Sequence, residues 1–174
     1  MIEFELHIDP STHGWARLRI RADDRALKID CSNLANDCIR DWIVAFVNLA
    51  DGRGKQEILC YSEPAETIIT LRKTRDEVEL IAKRFLWEGD AMPPGAFDDA
   101  MRKQRESVWR KARRSRNKKA VFRYKGPFTT AIRDFATSFD AAVKEIGQSR
   151  YEKTWGHPYP SEDVEALRKA VSLA

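Results

Sequence analysis

The sequence predicts an α+β protein: one antiparallel sheet of about six strands in the order βββ-α-βββ, followed by a helical C-terminal half. Three observations carry that expectation. Short segments within residues 1–89 alternate apolar and polar side chains and are separated by turn residues, the period of half-buried strands. Between two triplets of such segments lies one stretch whose apolar residues recur at three- and four-residue spacing. Beyond Gly126-Pro127 the helical period returns and is stronger.

Phe4 to Ile8 reads as the first strand, and Asp9-Pro10-Ser11-Thr12-His13-Gly14 as a loop of turn formers. Trp15 to Arg21 alternates cleanly, with Ala16, Leu18 and Ile20 on one face and Arg17, Arg19 and Arg21 on the other. Asp23-Asp24 turns the chain into Ala26–Cys31. Ser32 or Asn33 offers an N-cap to a helix running to Ala50, whose Leu34, Cys38, Ile39, Trp42, Ile43, Phe46 and Leu49 form a broad apolar face. Asp51-Gly52-Arg53-Gly54 stops it. Glu57 to Ser62 is apolar on both faces and is expected at the centre of the sheet. Glu66–Lys73 and Glu77–Trp87 read as a hairpin about Thr74-Arg75-Asp76.

Two prolines at Pro93-Pro94 break the strand pattern. Phe97 to about Lys119 suits a helix with a thin apolar stripe (Phe97, Met101, Val108 and Ala112, with Trp109 beside it), and Ala120–Tyr124 a short strand. Phe128, Ile132, Phe135, Phe139, Ala142 and Ile146 define a strongly patterned helix, and Ser161 opens a last one with Glu162 and Asp163 near its N-terminus. The expected organisation is residues 1–89 as the sheet with its covering helix and residues 90–174 as a helical part packed on it, within one domain.

At 174 residues the chain can bury a core without disulfides or metal, and 43% apolar content marks it as globular. Its longest apolar run, Trp42–Val47, is too short to span a bilayer, and Met1–Leu6 alternates like a strand rather than a signal peptide. A cytoplasmic location without a membrane partner is expected. Oligomeric state leaves no mark. Cys31, Cys38 and Cys60 are odd in number, widely spaced and without a Cys-x-x-Cys pair, which argues against a disulfide framework or a zinc site; they read as small core hydrophobes.

No catalytic set emerges, and the chain is read as a non-enzyme without cofactor or metal. His7, His13 and His157 make no metal-ligand spacing. His7 and His13 flank Asp9, a combination that can in principle serve acid–base cleavage of a phosphodiester, but loop histidines are the simpler reading. Ser32 and Ser62 lie outside any Gly-x-Ser-x-Gly, and Asp51-Gly52-Arg53-Gly54-Lys55 follows a helix instead of preceding one. Glu63, Glu66, Glu77 and Glu79 fit solvent-facing strand positions.

Charge is unevenly spread. Residues 101–125 hold twelve basic side chains against Glu106; with a net charge of +4 for the chain, the rest amounts to −7. Arg110, Arg113, Arg114 and Lys118 are candidate phosphate contacts, and Trp109, Phe122 and Tyr124 candidate stacking residues for unpaired bases. The competing readings are a solvated helix face, pairing of the cations with the acidic body, and contact with a protein partner through the same residues, Trp109 and Tyr124 included. The loop Trp155-Gly156-His157-Pro158-Tyr159-Pro160 reads as a rigid connector, with recognition as its alternative.

The strand-loop-strand start, the Trp42 helix, the Ser62-Glu63-Pro64 turn, Phe135–Gly147 and Tyr151-x-x-x-Trp155-Gly156-His157-Pro158-Tyr159-Pro160 together resemble a set of small uncharacterised bacterial α+β proteins, some of which look like immunity proteins of contact-dependent or polymorphic toxin systems. The basic 102–125 stretch departs from that pattern. The resemblance implies a non-enzymatic binding protein and nothing more precise; the leading expectation is a protein-binding module, with an immunity protein neutralising a bacterial toxin as its sharper form. The alternative is a nucleic-acid-binding protein that uses the basic segment.

Overall fold

The structure, a computed structural model, describes residues 1–33, 36–62, 65–86 and 119–173. Strands β1 (Ile2–Ile8), β2 (Trp15–Ala22) and β3 (Arg25–Ser32) form one antiparallel sheet in the order β1-β2-β3. Helix α1 (Cys38–Ala50) leads into a second antiparallel sheet, β4 (Lys55–Ser62), β5 (Ala65–Thr74), β6 (Glu77–Leu86) and β7 (Lys119–Pro127), paired in chain order. Then come α2 (Phe128–Ile146), a single 3-10 turn at Gln148–Arg150, α3 (Tyr151–Trp155) and α4 (Ser161–Leu173).

The expected single sheet of six strands is therefore two sheets, of three and four strands. The strands predicted from alternation are all present. The division falls between β3 and β4, which α1 joins in the chain and which are neighbours without sharing ladder hydrogen bonds. A side chain also links the two sheets: Arg84 Nη2 of β6 donates to the Lys28 carbonyl of β3 at 3.0 Å. The short strand expected at Ala120–Tyr124 is the middle of β7, which pairs with β6 and makes the fourth strand of the second sheet.

β4 also departs from expectation, lying at an edge rather than in the centre. Its double-sided apolarity has another cause. Ile58, Leu59, Cys60 and Tyr61 are all buried because β3 runs beside the strand and α1 packs on it. Glu66, expected to face solvent, is fully buried on β5.

The first sheet follows its pattern closely. Ile2, Phe4, Leu6 and Ile8 share the buried face with Ala16, Leu18 and Ile20 and with Leu27, Ile29 and Cys31. The β2–β3 and β5–β6 hairpins need tight reversals; Asp23 and Arg75 take φ of 56° and 55° at the first of two turn residues. α1 starts later than predicted, at Cys38, because Asp37 and not Ser32 or Asn33 is its N-cap, its carboxylate accepting from the Arg40 amide. α2 is as expected, with all six stripe residues buried and Gly147 beyond its end at φ 79°.

α2 lies along β1. Its Ser138 hydroxyl accepts from the Leu6 amide at 2.6 Å and its Asp134 carboxylate accepts from the Phe4 amide, so the free edge of the first sheet is sealed by side chains one helical turn apart. Phe4, Trp42, Phe46 and Phe135 meet where β1, α1 and α2 converge: Phe4 sets its ring edge-on to the other three at 5.6–6.0 Å, and Phe46 stacks with Phe135 at 5.0 Å. α4 closes the far side against α1 and α2.

Candidate functional site

The end of β3 and the short α3 meet at Asn33. Two glycines come so near that a β-carbon on either would overlap its amide: 2.3 Å from Asn33 Oδ1 at Gly14 and 2.1 Å from Nδ2 at Gly156, both with left-handed φ (78° and 90°). Asn33 Nδ2 donates to the Trp155 carbonyl at 2.8 Å, and the Asn33 amide to the Gly14 carbonyl at 2.9 Å. The Gly14 amide in turn donates to the Thr154 carbonyl at 2.9 Å, and His13 Nδ1 lies 2.7 Å from the Lys153 carbonyl. His157 Nε2 lies 3.2 Å from the Asn33 carbonyl; both imidazole nitrogens face acceptors and so carry the hydrogen. Trp155 is fully buried and its Nε1 donates to Asp37 at 2.8 Å. These bonds fix the 155–160 loop against the first turn of α1. The connector reading of that loop describes its inner side well.

Its outer side lines a cleft of about 640 Å³. One wall is Asn36, Asp37, Arg40 and Asp41 at the start of α1; the other runs from His157 to Asp163. Asp37, Asp41, Glu162 and Asp163 face a single cation, Arg40, among the lining residues. Arg40 is already engaged, its Nε donating to Asp163 at 2.6 Å and holding its guanidinium more firmly protonated than usual. Asn36 is 3% exposed. Its Nδ2 donates to Asp41 at 2.7 Å and to the Leu59 carbonyl at 2.8 Å, and since both partners are acceptors the amide orientation is fixed. Its Oδ1 is left buried without a partner among the described residues. Tyr159 roofs the cleft, its ring stacked on Phe139 and edge-on to Tyr151.

The nominated residues divide. Trp109, Arg110, Arg113, Arg114 and Lys118 lie outside the described residues. Tyr124, at 5% exposure, is buried on the inner face of β7, and burial raises its phenol. Phe122 is buried with it, under the Arg25 guanidinium at 5.9 Å. Lys125 does pair with the body, its Nζ 2.7 Å from Glu77. His7 and Asp9 line one small cleft, but His13 turns to α3, so the three groups are not brought to a common centre. Asp9 is occupied locally: hydrogen bonds from the Ser11 hydroxyl and amide hold its carboxyl at about 2.

The outer face of the first sheet is a lattice of charge. Glu3, Glu5, Arg17, Arg19, Arg21, Lys28 and Asp30 alternate across the three strands, with Arg17 Nε 2.8 Å from Asp30 and Arg21 Nη2 3.5 Å from Glu5. Both signs are interleaved there, so this face is self-neutralised where the cleft is not.

Reading the sequence missed the cleft, because its acids come from two segments over a hundred residues apart. It also missed one constellation of sulfurs: Cys31 ends the inner face of β3, Cys38 opens α1, Cys60 is mid-β4, and their three Sγ atoms lie within 4.8 Å of one another. The shared inward phase of Cys31 and Cys60 was the available signal. None of the described helices is long and apolar enough to cross a membrane.

No family model and no curated protein matches the chain. Among solved structures, a CdiA-CT/CdiI toxin and immunity complex from Enterobacter cloacae is similar at a TM-score of 0.44 and 8% identity, over 79% of this chain and 99% of that one.

Proposed function

We propose that the chain is a non-enzymatic protein-binding module that receives a cationic segment of its partner in the cleft between α1 and α4, as an immunity protein neutralising a bacterial toxin would. One observation carries the reading: a rigidly built cleft whose lining sets four carboxylates, Asp37, Asp41, Glu162 and Asp163, against Arg40, which Asp163 already engages. The surrounding carboxylates steer such a partner and set its orientation more than they add affinity. The motif Trp155–Pro160, which carries part of the resemblance to immunity proteins, supplies His157 to Pro160 of the second wall.

The test pairs the chain with the purified product of the neighbouring gene. Binding is measured across a salt series, and protection from that product in cells. The double reversal Glu162→Lys with Asp163→Lys is expected to weaken binding about tenfold or more and to flatten its salt dependence, with helix content retained. Absence of binding and protection, or binding indifferent to the reversal, overturns the reading. Salt-sensitive affinity for RNA or DNA in its place would favour the basic segment as the working surface.

A further inference from the structure

The three cysteines that the sequence scatters over thirty residues are brought to one point between the two sheets and α1. Each is free, and exposure is 2%, 1% and 0% for Cys31, Cys38 and Cys60. The triangle of sulfurs has the dimensions of a ligand set. With metal–sulfur bonds of about 2.3 Å, three sulfurs around one ion sit at most about 4 Å apart, which small side-chain rotations reach from a spacing within 4.8 Å.

The number of donors and the surroundings select the ion. Among the described residues no fourth His, Asp, Glu or Cys joins the cluster, and its burial leaves little room for water as a fourth ligand, so a tetrahedral zinc site is not completed. Charge narrows the choice further. Three thiolates bring −3 into an apolar interior, and the charged side chain felt at Cys31 beyond the trio is Asp30, itself an anion. A monovalent ion would leave −2 and a divalent one −1. A trivalent ion leaves none, and an unneutralised buried charge is costly.

We infer that Cys31, Cys38 and Cys60 form a three-thiolate site for a trivalent thiophilic ion of the arsenite type. Binding is a ligand exchange without change of oxidation state. As(OH)₃ and three thiols give As(S–Cys)₃ and three waters: three S–H and three As–O bonds break, and three As–S and three O–H bonds form.

The reduced full-length chain is incubated with sodium arsenite, both in the native state and during refolding from urea, with zinc and copper(I) as separate arms. Intact mass and alkylation of thiols after rapid unfolding are read. One arsenic per chain in place of three protons is expected, with all three cysteines protected and the urea midpoint raised. Cys38→Ala, a small change within the core, is expected to fold and to retain arsenic at least about tenfold less well. Unchanged alkylation of the wild-type chain in both loading regimes overturns the site, whether or not the variant folds. So does equal retention by Cys38→Ala, or protection by zinc or copper(I) where arsenite gives none.

Discussion

Asn33 is enclosed by backbone on two sides, and its surroundings tolerate no added carbon. At Gly156 a side chain would face both a left-handed φ of 90° and the Asn33 amide 2.1 Å from its β-carbon. Gly156→Ala is expected to lower stability by about 1–3 kcal/mol, read as a shift in urea midpoint. An unchanged midpoint would mean that Asn33 is free to move aside. Little of this was legible in advance. Asn33 reads from its local context as a helix cap, a role that Asp37 takes, because a cap is assigned from neighbours in sequence while Asn33 answers to Trp155. The cysteines show the same limit: side-chain phase places Cys31 and Cys60 inward, but hydrophobicity alone does not say that they face each other.

At the scale of elements, the strongest periodicities became the best-described pieces. The stripe from Phe128 to Ile146 needs only the geometry of its own helix to be recognised, and all of it is buried. The flank of that helix is a different matter. Asp134 and Ser138 bond to β1 across more than a hundred residues, and nothing in a helical period announces a strand edge beside it. Ser138→Ala removes the acceptor of the buried Leu6 amide and is expected to cost about 1–3 kcal/mol. Amide exchange at Leu6 should quicken more than at Ile20 on the central strand; equal effects would assign the loss to packing. The placing of β4 teaches the same lesson, since apolarity on both faces reports burial and not rank within a sheet.

For the whole molecule, the aromatic group of Phe4, Trp42, Phe46 and Phe135 joins β1, α1 and α2, so the first sheet and both long helices share one core. Phe46→Ala is expected to remove about 3–5 kcal/mol. Near-ultraviolet dichroism and exchange at amides in each sheet should report one common transition. A second sheet that survives the loss of the first would show two units of stability. The division into sheets of three and four strands was beyond sequence reading for a plain reason: alternation fixes which residues point inward and does not say which strands exchange hydrogen bonds.

The binding of Asn33 to Trp155, 122 positions apart, also sets an order of events during synthesis. A nascent chain that has delivered β1 to β3 and α1 to the outside of the ribosome has one wall of the cleft and no other. The second wall arrives only with residues 157–163, after both sheets have emerged. Domains form as their segments become available. On the proposed function, competence to capture a partner would therefore appear late, with the second wall, and an incomplete chain would leave its partner untouched.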